Sequence, residues 1–233
     1  MENRLFEYMN RRISGESVHT GKSKEPGPVI TISRLSGCGA SRIGWAVCEE
    51  LSKRKQAVGD HGKWNFISRE ILQNSAEQLH LDPVSLKNVI SDTDRGIMDQ
   101  IVEALSTHSH KSDQKILKTI QEVIRQFGSK GNVLIVGRGG AGICSDIKRS
   151  LHIRIEAPEE WRIAEIAKRL DFSKAFAKEY VRKQDAERKF LVTKLFGKSP
   201  DQLIYDVEFN RSRYTEKELV DSIIQLATVK GLL

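Results

Sequence analysis

Val29-Ile30-Thr31-Ile32-Ser33-Arg34-Leu35-Ser36-Gly37-Cys38-Gly39-Ala40-Ser41-Arg42 is the stretch whose reading decides the fold. An apolar, β-branched run breaks into a turn with two glycines and leads into a helical pattern, an order that lets backbone N–H groups and a helix start face an anion. Set on the phosphate-loop pattern G-x-x-x-x-G-K-[ST], the window Arg34 to Ser41 keeps the second glycine as Gly39 and the hydroxyl as Ser41. It places Arg34 at the first glycine and Ala40 at the lysine. The helix dipole contributes roughly 0.3 to 2 kcal/mol toward an anion and cannot alone replace a fixed cation. Arg34 and Arg42 are the available substitutes. The plain alternative is a tight βα turn with glycines for packing and arginines in solvent.

Working outward, apolar β-rich runs alternate with helical patterns: Val29 to Ser33, Trp64 to Ile67, Val133 to Val136, Leu151 to Ile155 and Ile204 to Phe209. Strands separated by helices need crossover connections, so an α/β fold with a parallel sheet covered on both faces is expected. About 65 residues lie between the second and third runs and about 50 between the fourth and fifth, longer than ordinary connections. Both insertions read as helical. The first carries Arg69 to Leu79, Asp92 to Leu105 and Asp113 to Phe127, with Ser91 and Ser112 as amino-terminal caps. The second carries Glu159 to Arg169 and Lys174 to Phe196, stopped by Gly197-Lys198-Ser199-Pro200, and a last helix runs from Thr215 to about Thr228. Residues 1–28, closed by Glu25-Pro26-Gly27-Pro28, read as an N-terminal extension to a domain of 29–233.

Composition bounds the function classes. The 233 residues are 39% hydrophobic, enough for one large domain, and the longest apolar runs are strand-length, so no membrane partner is expected. The three cysteines lack pairing and metal-ligand spacing, which with the absence of a signal-like start argues for a cytoplasmic protein. A formal charge of +7 implies a polyanionic partner. That partner could be nucleic acid, a membrane surface or nucleotide phosphates, and the interleaving of basic with acidic residues without an aromatic-basic signature argues against nucleic acid. A homo-oligomer is left open.

A second glycine-rich turn follows the third run: Gly137-Arg138-Gly139-Gly140-Ala141-Gly142. Ligands of open parallel sheets sit beyond the carboxyl ends of the strands, where an arginine can grip phosphate bidentately. Arg138 is therefore the leading substrate-binding candidate, the alternative being an arginine that pairs with a nearby carboxylate to brace the loop. In the second insertion Arg182, Asp185 and Arg188 or Lys189 share a helix face at spacings of three and four, fit for a basic helix closing over phosphates or for a solvated charged face. Asp92-Thr93-Asp94-Arg95 reads as a helix cap with an ion pair, since two local carboxylates are too few for a hard cation. His108 and His110 read as a polar loop.

With these residues in place the chain resembles the cytidylate kinase-like family of P-loop nucleoside monophosphate kinases, over roughly Val29 to Leu226. The resemblance rests on six ordered blocks. These are Ile30-Thr31-Ile32-Ser33-Arg34-x-x-Gly37-x-Gly39, Phe66-Ile67-Ser68-Arg69-Glu70-Ile71-Leu72, and Ile135-Val136-Gly137-Arg138-Gly139. Then come Arg154-Ile155-x-Ala157-Pro158-x-x-Trp161-Arg162-Ile163, Asp185-x-x-Arg188, and Tyr205-Asp206-x-x-x-Asn210-x-Ser212-Arg213. The resemblance implies a three-layer P-loop fold with a five-stranded parallel sheet of order 2-3-1-4-5, a monophosphate-binding insertion about residues 68–130 and a lid about 170–200. It implies transfer of the γ-phosphate of ATP, with Mg2+, to a monophosphate acceptor such as CMP.

The implied roles fall on particular positions. Ser36, Gly37, Cys38, Gly39, Ala40 and Ser41 would cradle the ATP phosphates, with Ser41 also reaching magnesium. Arg34 or Arg42 would take over the lysine's charge, Arg182 and Arg188 would close from the lid with Asp185 orienting them, and Arg69, Gly137 and Arg138 would bind the acceptor. Family members of this branch commonly read Ser-Arg-x-x-Gly-x-Gly-Gly-Arg at the loop. Here Ala40 stands for the third glycine and the arginine is shifted by one place to Arg42. Ser68 stands where an aspartate is usual, and Gly139 where cytidylate kinases carry one, which weakens the case for CMP because an exocyclic amine is best read by an acceptor. The alternative function is a nucleotide-binding regulatory protein that keeps the kinase fold without turnover. A basic RNA- or DNA-associated protein is a third reading, marked by steep salt dependence.

Overall fold

The computed structural model describes residues 27–59, 62–68 and 110–233. Five strands, β1 (Val29–Arg34), β2 (Asn65–Ile67), β3 (Val133–Val136), β4 (Ser150–Glu156) and β5 (Val207–Asn210), form one sheet in the order β2-β3-β1-β4-β5. Every neighbouring pair is parallel. The central strands are largely buried on both faces, so β3 reads as the continuous run Val133-Leu134-Ile135-Val136, while β1 and β4 interleave buried polar residues such as Thr31 and His152 with their aliphatic ones. Strand β1 sits between β3 and β4, with Ile32 opposite Val136 on one side and Ile153 on the other.

The described helices are α1 (Ala40–Ala57), α2 (His110–Lys130), α3 (Gly140–Ile143), α4 (Glu159–Leu170), α5 (Lys174–Phe196) and α6 (Glu216–Val229). One sheet face carries Ile30, Ile32, Leu134, Val136, Leu151, Ile153 and Ile155, packed with Ile43, Val47 and Leu51 of α1 and Leu219, Ile223 and Ala227 of α6. Gly44 lets α1 lie close to this face, because a Cβ there would stand 2.9 Å from Val136 Cγ2 and 3.0 Å from Leu134 Cδ2. On the opposite face Gly140 of α3 approaches Thr31 and Ile135, and Gly128 of α2 approaches Cys144. Helices α4 and α5 pack on each other through Ile163, Ile166, Ala177 and Val181, a small core of their own.

Several boundaries differ from the sequence expectation. Strand β5 begins at Val207, because Ile204 is 88% exposed and the chain first makes a short helical turn, Pro200–Gln202, capped by Ser199. Helix α2 begins at His110, so Ser112 lies inside it rather than capping it. The glycines after β3 form α3, a single turn of helix not expected from the sequence. Thr215 caps α6 as expected, with Glu218 completing the capping box. The expected helices 69–79 and 92–105, the acidic stretch 92–95 and Arg69 lie outside the described residues, as does most of the extension 1–28. No helix among the described residues is long and apolar enough to cross a membrane.

One polar pair spans the sheet. Thr31 Oγ1 lies 2.8 Å from Nδ1 of its register partner His152, and both side chains are buried. Burial holds the imidazole below its ordinary pKa, opposed by the Asp206 carboxylate and assisted by the Lys230 ammonium. The fold therefore favours the neutral ring. Its contribution to stability is fully present above the unfolded-state pKa of ~6.5 and is lost as pH falls through the depressed native value. The carboxylates of Asp146, Asp201 and Asp206 are shifted downward and act only at lower pH. Thermal unfolding between pH 7.5 and pH 5 should show the midpoint falling, and His152→Asn should flatten that arm. An equally steep arm in the variant would assign the pH dependence elsewhere.

Candidate functional site

The loop between β1 and α1 is held at both ends. Leu35 N donates to Ile155 O at 3.1 Å, fixing its start to β4, and Gly39 O accepts from Arg42 N at 3.0 Å and Ile43 N at 3.2 Å to begin the helix. Gly37 and Gly39 adopt φ of 90° and 71°, left-handed values that suit glycine. At Gly37 the need is steric as well, since a Cβ would stand 2.8 Å from the Arg162 carbonyl oxygen. The backbone N–H groups of Gly37, Cys38, Gly39, Ala40 and Ser41 meet no acceptor among the described residues. They stand at the positive end of an 18-residue helix whose N-cap supplies no side-chain bond. Consecutive unsatisfied donors at such an end form an anion cradle.

The side chains in the loop narrow its chemistry. Cys38 is buried and its thiol is pushed up to about 11 by desolvation, so it is a neutral thiol and contributes its N–H rather than a nucleophile. Ala40, at the lysine position, is 3% exposed, while the Ser41 residue is exposed at the first turn.

Ser36, expected among the phosphate donors, gives its N–H to Asp185 Oδ1 at 2.7 Å. Asp185 also accepts from Arg162 Nη1 at 2.6 Å and Arg188 Nη1 at 3.1 Å. Arg162 is 7% exposed and donates further to Ser36 O at 3.1 Å and Ala157 O at 2.9 Å. One buried guanidinium thus binds the loop, the end of β4 and helix α5 together. In the sequence Arg162 stands within the block Arg154 to Ile163, with this role unassigned. The signal was its position after Ala157-Pro158, where α4 starts directly beneath the loop.

The remaining cations are distributed around this hub. The Arg34 guanidinium lies against Gly137, where a Cβ would be 1.8 Å from Nη1, so it reaches the turn after β3. Arg42 donates to Glu216, the first residue of α6, and its Nη2 stands 3.3 Å from where a Cβ of Gly39 would be. Glu216 is also 3.7 Å from Arg211, whose guanidinium lies 5.3 Å over the Trp161 ring. Arg182 is exposed and donates to Glu159 Oε1 at 2.8 Å. Of the lid residues expected near the phosphates, Asp185 and Arg188 are brought to the loop, while Arg182 braces α5 against α4.

The turn after β3 is unusual in its backbone. Gly137, Arg138 and Gly139 have φ of 76°, 56° and 70°, three left-handed residues in succession. For a non-glycine residue such as arginine this costs roughly 1–2 kcal/mol. The turn is fixed by Gly137 N to Ile32 O at 2.9 Å and Gly140 N to Gly137 O at 2.9 Å. Because Ile32 and Val136 are the last register partners and the Arg34 guanidinium lies against Gly137, the turn that carries Arg138 leaves the same carboxyl edge of the sheet as the loop after β1. Among the described residues no three His, Cys, Asp or Glu side chains converge as metal ligands.

Removing the buried guanidinium while its acceptors remain should be costly. Arg162→Leu is expected to destabilise the protein by about 3 kcal/mol, because Asp185 and two carbonyls lose a shared donor. A urea midpoint within error of the wild type would show that the hub is not a stabilising element.

Comparison with known proteins bears on this arrangement. No curated protein matches the chain. Among solved structures, an uncharacterised protein from Eubacterium ventriosum is similar at TM-score 0.56 and 18% identity, over 86% of this chain and 98% of that one. Shikimate kinase from Bacteroides thetaiotaomicron has TM-score 0.47 and 12% identity, over 86% of this chain and 98% of that one. At such identities the likeness concerns the fold alone. The family model described as the Cytidylate kinase-like family matches residues 29–213, from the first residue of β1 through the turn that follows β5. The protein therefore belongs to the cytidylate kinase-like family.

Proposed function

We propose that the protein transfers the γ-phosphate of ATP to a nucleoside monophosphate or a related small phosphorylated acceptor. The observation that carries this reading is the run of unsatisfied N–H groups from Gly37 to Ser41 at the start of α1, facing the same sheet edge as Arg138. ATP with magnesium supplies the transferable phosphoryl group. The N–H groups would hold its phosphate oxygens, and the Ser41 hydroxyl would be the chain's ligand to magnesium, which normally keeps phosphate oxygens and water as its other ligands. Arg188, oriented by Asp185, would neutralise charge developing on the transferred group, and Arg138 would grip the acceptor's phosphate bidentately. Arg69 is proposed as a second acceptor contact. Positioning and charge neutralisation suffice for phosphoryl transfer, so no dedicated base is required.

A second reading, nucleotide binding without turnover, is favoured by one observation. Ala40 supplies no cation, and the nearby Arg42 is already engaged by Glu216. Incubating purified protein with ATP and magnesium against a full panel of nucleoside monophosphates separates the two. The kinase reading expects one acceptor to be phosphorylated and Arg188→Ala to lower kcat about 10³-fold with nucleotide binding retained. Binding of ATP with no acceptor turned over, together with gain of turnover in Ala40→Lys, would instead establish the second.

A further inference from the structure

Helix α5 meets the carboxyl edge of the sheet at two places along its length. Asp185 holds the loop after β1 through Ser36 N–H. About three turns further on, roughly 16 Å along the axis by helical rise, α5 ends at Phe196, capped by Gly197 in the left-handed conformation. The Phe196 ring lies in the space that side chains at Gly139 and Gly142 would fill. A Cβ on Gly139 would stand 2.9 Å from Cε2 of the ring and 2.8 Å from Leu195 Cδ1, and one on Gly142 would stand 2.6 Å from Cζ. Glycine at these positions therefore makes a cradle for an aromatic ring from the lid. The cradle adjoins the left-handed Gly137-Arg138-Gly139 turn, whose first residue, Gly137, meets the Arg34 guanidinium. A strained turn persists only where its surroundings determine it.

We propose that Phe196 is a positioning residue for Arg138: by filling the Gly139–Gly142 cradle it holds the left-handed turn and ties the presentation of Arg138 to the seating of α5. The functional consequence rests on the reading that Arg138 grips the acceptor's phosphate. The same helix then bears on both substrates at different ends, on the ATP loop through Asp185 and on the acceptor turn through Phe196. Loss of the ring should loosen the acceptor side and leave the ATP side alone.

The test uses the full chain with Phe196→Ala and the conservative Phe196→Leu. Backbone ¹³C shifts report the conformation of Arg138 and Gly139 directly. In Phe196→Ala these shifts should leave their left-handed values. The KM for the acceptor found in the monophosphate panel should rise about tenfold, the size of one lost well-placed contact, while the KM for ATP stays within about twofold. Phe196→Leu, which keeps apolar bulk in the cradle, should restore both in part and covers the case in which the alanine variant folds poorly. A lowered thermal midpoint with unmoved Arg138 shifts, in either variant, would overturn the proposal and leave Phe196 a packing residue. Failure of the kinase reading shows instead as absent turnover in the wild type, where the chemical-shift result still decides the role of Phe196.

Discussion

Asp185 accepts hydrogen bonds from three donors, two of them on other elements of the chain: Ser36 N–H in the loop, Arg162 on α4, and its own helix neighbour Arg188 on α5. The rest of the site depends on this shared carboxylate. Taking a guanidinium as buried as Arg162 out of water carries a penalty of several kcal/mol, which Coulomb attraction offsets only when the geometry is good and the remaining donors are satisfied. Here the geometry provides that, since Arg162 Nε bonds the Ala157 carbonyl and Nη1 reaches both Ser36 O and Asp185. A lysine could not span these acceptors, because a single ammonium lacks the planar fork. The network fixes where the loop stands relative to β4, and hence where its unsatisfied N–H groups point.

Two kinds of close approach set the glycine positions. Some admit backbone or side chains of neighbouring elements, as at Gly37 beneath Arg162, Gly44 against the sheet, and Gly139 and Gly142 under Phe196. Others supply left-handed dihedrals on either side of a residue that does not favour them, as Gly137 and Gly139 do for Arg138. Both belong to one physical demand: the carboxyl edge of the sheet must carry cationic side chains and bare N–H groups without bulky neighbours filling the space between.

Much of this was legible in the sequence because the relevant signals are local. The apolar runs located all five strands, since each strand contributes buried aliphatic or aromatic side chains to the core. The order β2-β3-β1-β4-β5 was expected from the resemblance of the motif blocks and not from the runs themselves. The start of β5 was misplaced because Ile204 is apolar yet 88% exposed, and apolarity alone cannot tell a strand from the loop before it. The hub at Arg162 was missed for a different reason. Its acceptors Ser36 and Asp185 lie far from it along the chain, and no periodicity in a sequence reports a contact made by folding. The same holds for Phe196, whose helical spacing is ordinary and whose partners are two glycines on another element.

The missing lysine changes how charge is supplied rather than simply removing it. In the described structure Arg42 is engaged by Glu216, Arg182 by Glu159, and Arg162 and Arg188 by Asp185. A phosphate entering the cradle would therefore compete with a carboxylate for each of these arginines, where a loop lysine would offer its charge directly. The competition is uneven. Arg162 is buried and committed to several acceptors, Arg182 sits on an exposed surface, and Arg188 is partly exposed and bonded to a carboxylate that has two other donors. A phosphate oxygen carries formal charge comparable to that carboxylate and belongs to a group with several such oxygens, so exchange at Arg188 loses one of several shared bonds and gains a charge-assisted pair. On the proposed kinase reading, Arg188 would thus be the cation most readily transferred from α5 to a phosphate, with Asp185 still held in place by Ser36 and Arg162. The arrangement would make the cation at the phosphate conditional on the seating of α5, which a lysine in the loop would not be.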